Sequence, residues 1–156
     1  MPRSIPRIVI VGVCGSGKTV LADALTRRGY NARAMAQEHS FVPGMWRAHG
    51  QPNVLIYLDA TADTVNRRLG RQDWTPAVLA EQRRRLADAH AYCDLYLATD
   101  DLDEAAVLTR VVAFLAAGWP DVDTTSAPVE PSAGSSRDFW RQRCRGKRGK
   151  QAGRGA

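Results

Sequence analysis

Cysteine is scarce in this chain, and no long apolar run occurs. Three cysteines, Cys14, Cys93 and Cys144, are spread over 156 residues with no CxxC pair among them. An odd, widely spaced set argues against a disulfide framework and fits a reducing cytoplasmic compartment. The longest late apolar stretch, Val111–Ala117, is too short to span a bilayer. The basic start, Met1–Arg7, leads into an apolar run that ends in a glycine loop and lacks a small-residue cleavage site. A soluble protein with no membrane partner is the expectation. Internal repeats are absent as well.

Acidic residues are scarce in one region only. Residues 137–156 carry eight Lys and Arg against the single acid Asp138. That leaves +7 in the last twenty residues, so the remainder carries −1 of the chain's net +6. Between the two, residues 121–136 are rich in Ser, Thr, Pro and Ala and poor in large apolar side chains. Such a segment buries too little surface to offset its ordering entropy. The expected organisation is a domain over 1–120, a flexible linker over 121–136 and a basic disordered tail over 137–156. Clustered cations with Phe139 and Trp140 nearby make nucleic acid a conceivable partner of the tail, and a solubilising terminus has the same composition.

What is present is an ordered alternation of patterns. Ile8-Val9-Ile10-Val11 reads as a buried parallel strand. Lys18–Arg28 has apolar residues at helical intervals, with Gly29 placed to stop it. Tyr30–Ala36 is a weaker strand, and Gln37–Gln51 is irregular with a helical turn or two around Met45–Ala48. Val54–Asp59 is the clearest strand. Thr61 is placed to cap a helix through Leu69, and Thr75-Pro76 to start another running to about His90. Asp94–Leu97 is a last strand. Asp101 and Glu104 pair as a capping box for a helix to about Ala117. This order implies an α/β fold, a three-layer parallel sheet flanked by helices, with a minimal core.

Between the first strand and first helix stands Gly12-Val13-Cys14-Gly15-Ser16-Gly17-Lys18-Thr19, a complete G-x-x-x-x-G-K-[ST] pattern. Each residue type there has a reason. Glycines at 12, 15 and 17 let backbone N–H groups close on phosphate oxygens without Cβ clashes. The following helix offers its positive end. Lys18 reaches the β- and γ-phosphates, a contact on the order of 4 kcal/mol before desolvation. Thr19 offers a hydroxyl to Mg²⁺. Cys14 sits at a variable position and is expected to contribute its backbone, although a helix N-terminus can activate a thiol. The pattern calls for a nucleoside triphosphate, ATP ahead of GTP because no Asn-Lys-x-Asp sequence appears, with Mg²⁺. Loss of Lys18 is expected to abolish binding and spare the fold.

With this loop, the Pro52–Ala60 strand followed by a helix bearing Arg67, Arg68 and Arg71, and the Cys93–Asp100 strand followed by a capped helix, the chain from Arg7 to Leu115 resembles the P-loop NTPases, and among them small P-loop kinases: nucleoside and nucleotide kinases, shikimate kinase and adenylylsulfate kinase. The resemblance implies transfer of the γ-phosphoryl group of ATP to a small-molecule acceptor. It places an acid at Glu38, after the second strand, where a carboxylate either orients Mg²⁺ through water or accepts the acceptor's proton. Asp59, after the third strand, is the alternative Mg²⁺ carboxylate by strand logic; in deoxynucleoside kinases the matching residue is structural. Arg71 is the arginine expected to close on the phosphates from a short lid. His39 reads first as a surface histidine. Trp46 and Arg47, with Phe41, Met45 and His49, could line an acceptor pocket or form an apolar cap on the sheet edge. Arg83, Arg84 and Arg85 read as a solvated helix face. The chain departs from the nucleoside monophosphate kinases in lacking an acceptor-binding insertion between Asn31 and Asn53, and the Asp-Arg pair common on the third strand of nucleoside kinases is absent. The acceptor is therefore left open. So is a hydrolase or nucleotide-dependent switch without an acceptor, with or without nucleic acid held by the tail.

Overall fold

A computed structural model describes residues 5–118. The expected linker over 121–136 and basic tail over 137–156 lie outside the described residues. Four strands, β1 (Arg7–Gly12), β2 (Asn31–Ala34), β3 (Val54–Asp59) and β4 (Leu95–Ala98), form one sheet in the order β2-β1-β3-β4. Every neighbouring pair is parallel, with Ile10 beside Ala34 and Ile56, and Ile56 beside Leu95.

The strands read as continuous apolar runs because both faces of the sheet are covered. Successive side chains alternate between faces. Ile8, Ile10, Val54, Ile56 and Leu58 pack with Leu21 and Leu25 of α1 (Lys18–Arg27) and Val107, Val111 and Leu115 of α5 (Glu104–Gly118). Val9, Val11, Leu55 and Tyr57 face the other way. They meet Val65 and Leu69 of α2 (Ala62–Leu69), Leu79 of α3 (Pro76–Arg85) and Ala89 of α4 (Ala87–Tyr92). The architecture is a parallel sheet between two helical layers, as the strand–helix alternation implied.

Local signals explain most boundaries. The Thr61 and Thr75 side chains accept from Thr64 N and Val78 N, capping α2 and α3, and Pro76 opens α3. Gly70, at φ 63°, closes α2 in the left-handed conformation that favours glycine. Three expectations are corrected. The helix expected over 76–90 divides at Leu86 into α3 and α4. The α5 N-terminus is capped by Asp103, whose Oδ1 accepts from Ala106 N at 2.7 Å, two residues beyond the expected Asp101. The second strand is shorter, ending at Ala34.

The segment after β2 is ordered by side chains. Two 3₁₀ turns, Gln37–His39 and Met45–Arg47, flank a short loop. Gln37 is fully buried and ties them together: its Oε1 accepts from Trp46 N at 2.9 Å, and its Nε2 donates to Val42 O at 2.8 Å. No helix among the described residues is long and apolar enough to cross a membrane.

Candidate functional site

The glycine loop leaves β1 at the sheet's carboxyl edge and enters α1. Gly12 sits at φ 156°, and a Cβ there would lie 2.0 Å from Leu58 O, so the loop needs glycine where it crosses the end of β3. Gly17, at φ 97°, precedes α1 without any side-chain cap, and no acid lies in the first helical turn. The positive end of α1 is thus left to whatever occupies the loop. Thr19 stands partly exposed in that first turn.

Lys18 is 2% exposed. Its Nζ donates to Gly12 O at 2.9 Å and Val13 O at 3.0 Å, and lies 3.2 Å from Glu38 Oε1. Glu38 comes from the first 3₁₀ turn, which the end of β2 carries to the same sheet edge. Its carboxylate is equally buried, and the second oxygen, Oε2, has no hydrogen-bond partner. Glu38, expected after the second strand, is thereby brought beside the loop lysine. His39 does not behave as a surface residue: Nε2 lies 3.4 Å from Glu38 Oε1 and 4.0 Å from Cys14 Sγ. Cys14 offers a buried thiol to this cluster in addition to its backbone.

Asp59, the alternative Mg²⁺ carboxylate of the sequence reading, has protein partners on both oxygens. Its Oδ1 accepts from Arg83 Nη2 at 3.0 Å and from Ala60 N at 2.9 Å, and its Oδ2 from the Tyr96 hydroxyl at 2.7 Å. Both oxygens are committed to holding α3 and β4 at the end of β3. Burial, followed by that hydrogen bond to Asp59, pushes the Tyr96 phenol up to about 12. Arg83 is accordingly a fold contact, although its side chain remains 38% exposed.

Arg71 forks onto Asp73, at 2.7 Å from Nε and 2.5 Å from Nη2. Arg68 is hydrogen-bonded to the loop. It donates through Nη1 to Gly15 O at 3.0 Å and to Thr99 Oγ1 at 2.9 Å, and through Nη2 to Thr99 O. Burial lowers its pKa from the ordinary guanidinium value. Thr99 completes the brace, its hydroxyl lying 3.2 Å from Ser16 O. Gln82 of α3 supplies another contact, accepting from Cys14 N at 2.9 Å through Oε1. Gln82 was detectable as the one polar member of the stripe Leu79, Gln82, Leu86, all buried. Arg68 and Thr99 carried no comparable signal.

The acceptor-pocket reading of Trp46 and Arg47 gives way to the apolar cap. Trp46 is 1% exposed and donates through Nε1 to Asp88 Oδ2 at 2.8 Å. Arg47 pairs with the same oxygen at 2.7 Å and stacks 4.4 Å over the Trp46 ring. Phe41, by contrast, is 81% exposed, with the Arg85 guanidinium 4.4 Å over its ring.

No protein-family model matches the chain, and no curated protein matches it.

Proposed function

We propose that the chain binds ATP with Mg²⁺ through residues 12–19, as a P-loop NTPase does, and transfers the γ-phosphoryl group to a small-molecule acceptor. The observation that carries this reading is the convergence of three features on one sheet edge: the uncapped N-terminus of α1, the buried Lys18 ammonium, and the Glu38 carboxylate 3.2 Å from it. Helix end and ammonium together favour a polyanion. The residues fit Mg²⁺ as well, since Thr19 stands in the first turn of α1 and Glu38 Oε2 is buried without a partner. When bound, the ion would neutralise charge on the phosphate oxygens.

Each residue then has a task. Lys18 turns from Gly12 O, Val13 O and Glu38 toward the phosphates. Glu38, freed from the ammonium, orients the ion's water shell or takes the acceptor's proton. Arg68 holds the loop through Gly15 O. Hydrolysis without an acceptor is the second reading, favoured by the commitment of Trp46 and Arg47 to the cap. A thermal-shift titration tests binding: Mg·ATP at 100 times its Kd should raise stability by about 2.7 kcal/mol. No shift with any nucleoside triphosphate sinks the proposal. Phosphate release measured with and without a metabolite pool then separates transfer from hydrolysis.

A further inference from the structure

Cys14, Glu38 and His39 each present one donor atom, and the three donors lie within 4.8 Å of one another. They reach this spot from two separate segments. Cys14 is held in place by its backbone, through the bond from its N–H to Gln82 Oε1. Glu38 and His39 are sequence neighbours, and on an extended strand their side chains would point to opposite faces. The 3₁₀ turn Gln37–His39 turns each residue by about a third of a circle and lets both converge.

One spacing matches a coordination sphere, and a second comes within about half an ångström of one. With bonds of about 2.0–2.3 Å to oxygen, nitrogen and sulfur, a tetrahedral ion separates its ligand atoms by about 3.3–3.6 Å. Here His39 Nε2 stands 3.4 Å from Glu38 Oε1 and 4.0 Å from Cys14 Sγ. A second, independent observation points to a cation: Glu38 Oε2 is buried with no hydrogen-bond partner. A buried carboxylate oxygen left unpaired is costly, and a metal ion would satisfy it.

We propose that Cys14, Glu38 and His39 bind a thiophilic divalent cation of the zinc class at the mouth of the glycine loop. The donor set selects the ion. Sulfur and imidazole suit Zn²⁺ and its first-row neighbours, whereas Mg²⁺ demands oxygen ligands. The donor set therefore differs from that of a nucleotide's Mg²⁺, although Glu38 is common to both, and the proposal does not rest on the nucleotide reading. On binding, the Cys14 thiol releases its proton to the buffer and ligates as thiolate. Thiolate and carboxylate together carry −2 against the +1 of Lys18, so the donor cluster favours a dication. Two ligands are buried, while the His39 side chain is 26% exposed and marks the way in. Three protein donors leave a fourth position for water or another ligand atom.

The test is a Co²⁺ titration of the full chain without nucleotide or Mg²⁺, followed by optical spectroscopy and displacement with Zn²⁺. The expected result is one Co²⁺ per chain, with a thiolate-to-cobalt charge-transfer band and intense tetrahedral d–d bands, both abolished by Zn²⁺. The bands should persist in the Cys93→Ser/Cys144→Ser variant, and the charge-transfer band should vanish in Cys14→Ser. His39→Ala should weaken Co²⁺ binding by at least about 10–100-fold, the penalty for losing even an outer-shell partner. His39→Ala and the Cys93/Cys144 variant decide the matter if Cys14→Ser fails to fold. An octahedral spectrum, a charge-transfer band that survives Cys14→Ser, or unchanged affinity in His39→Ala overturns the proposal.

Discussion

Lys18 and Glu38 form an ion pair in which each side chain is 3% exposed. Burial changes what a substitution at the loop lysine does. Removing one partner of a buried pair leaves an uncompensated charge and costs about 3–5 kcal/mol. Lys18→Met should therefore destabilise the protein by that amount in urea denaturation at neutral pH. Adding Glu38→Gln should restore most of the loss. This replaces the expectation that Lys18 could be removed without cost to the fold, and full wild-type stability in the single variant would show that the pair contributes nothing. The two carboxylates separate in the same way. Glu38→Gln keeps size and loses charge, so under the proposed function turnover falls by a factor on the order of 10² or more, with nucleotide affinity changed only a few-fold. Asp59→Asn strikes the fold instead: its contacts run to Arg83 and Tyr96, so the melting temperature falls while turnover per folded molecule holds. A dead but stable Asp59→Asn enzyme would return catalysis to the end of β3.

At the scale of the element, the N-terminus of α2 is pinned by a carboxylate from another strand's end. Asp100 Oδ1 accepts from Thr61 N at 2.8 Å, Thr61 Oγ1 at 2.7 Å and Thr64 Oγ1 at 2.6 Å. Burial alone would raise its pKa, but these hydrogen bonds outweigh burial and hold it at about 2, below the ordinary 3.8. The depressed folded value fixes the sign: the folded state binds fewer protons. The stabilisation is complete above 3.8 and disappears as pH falls toward 2. In an acid titration of melting temperature, wild type should lose its advantage over Asp100→Asn within that window, and parallel curves would refute the assignment. The bracing of α3 onto the loop is similar in kind. Gln82→Leu would make the stripe wholly apolar and remove the acceptor that Gln82 offers Cys14 N–H, at a cost of about 1–3 kcal/mol read from urea midpoints.

For the whole molecule, the described residues of both apolar clusters lie within residues 8–115. Deleting residues 121–156 should then change stability by less than about 0.5 kcal/mol, or a few degrees in Tm for a domain of this size. A larger loss would mean that the last thirty-six residues pack on the domain. The same deletion changes the net charge from +6 to +2. Salt-dependent RNA binding by the full chain, lost on truncation, would assign the basic segment to nucleic acid.

Much of this protein was legible in its residues, for reasons that are local. Ile8–Val11 and Val54–Asp59 announce buried parallel strands because β-branched runs without alternation need cover on both faces. Thr61, Gly70 and Thr75-Pro76 mark helix ends because caps satisfy backbone groups within a turn or so of themselves. The loop at 12–19 shows its geometry through glycine, since no other residue tolerates the approach of Gly12 to Leu58 O. Glu38 beside Lys18 followed from topology, because a parallel sheet brings strand ends to one edge. Other assignments depended on partners distant in sequence. Asp59 could serve an ion or a guanidinium, and only the position of Arg83 decided it. Arg71 and Arg68 differ by three residues; the turn after Gly70 sends one to Asp73, while α2 directs the other at Gly15. His39 reads as surface until a 3₁₀ turn swings it toward Cys14. Spacing and residue type determine which elements form, since those forces act over a few residues. Which polar side chain meets which is decided by packing, since donor and acceptor lie up to 83 residues apart, as in Thr99 and Ser16.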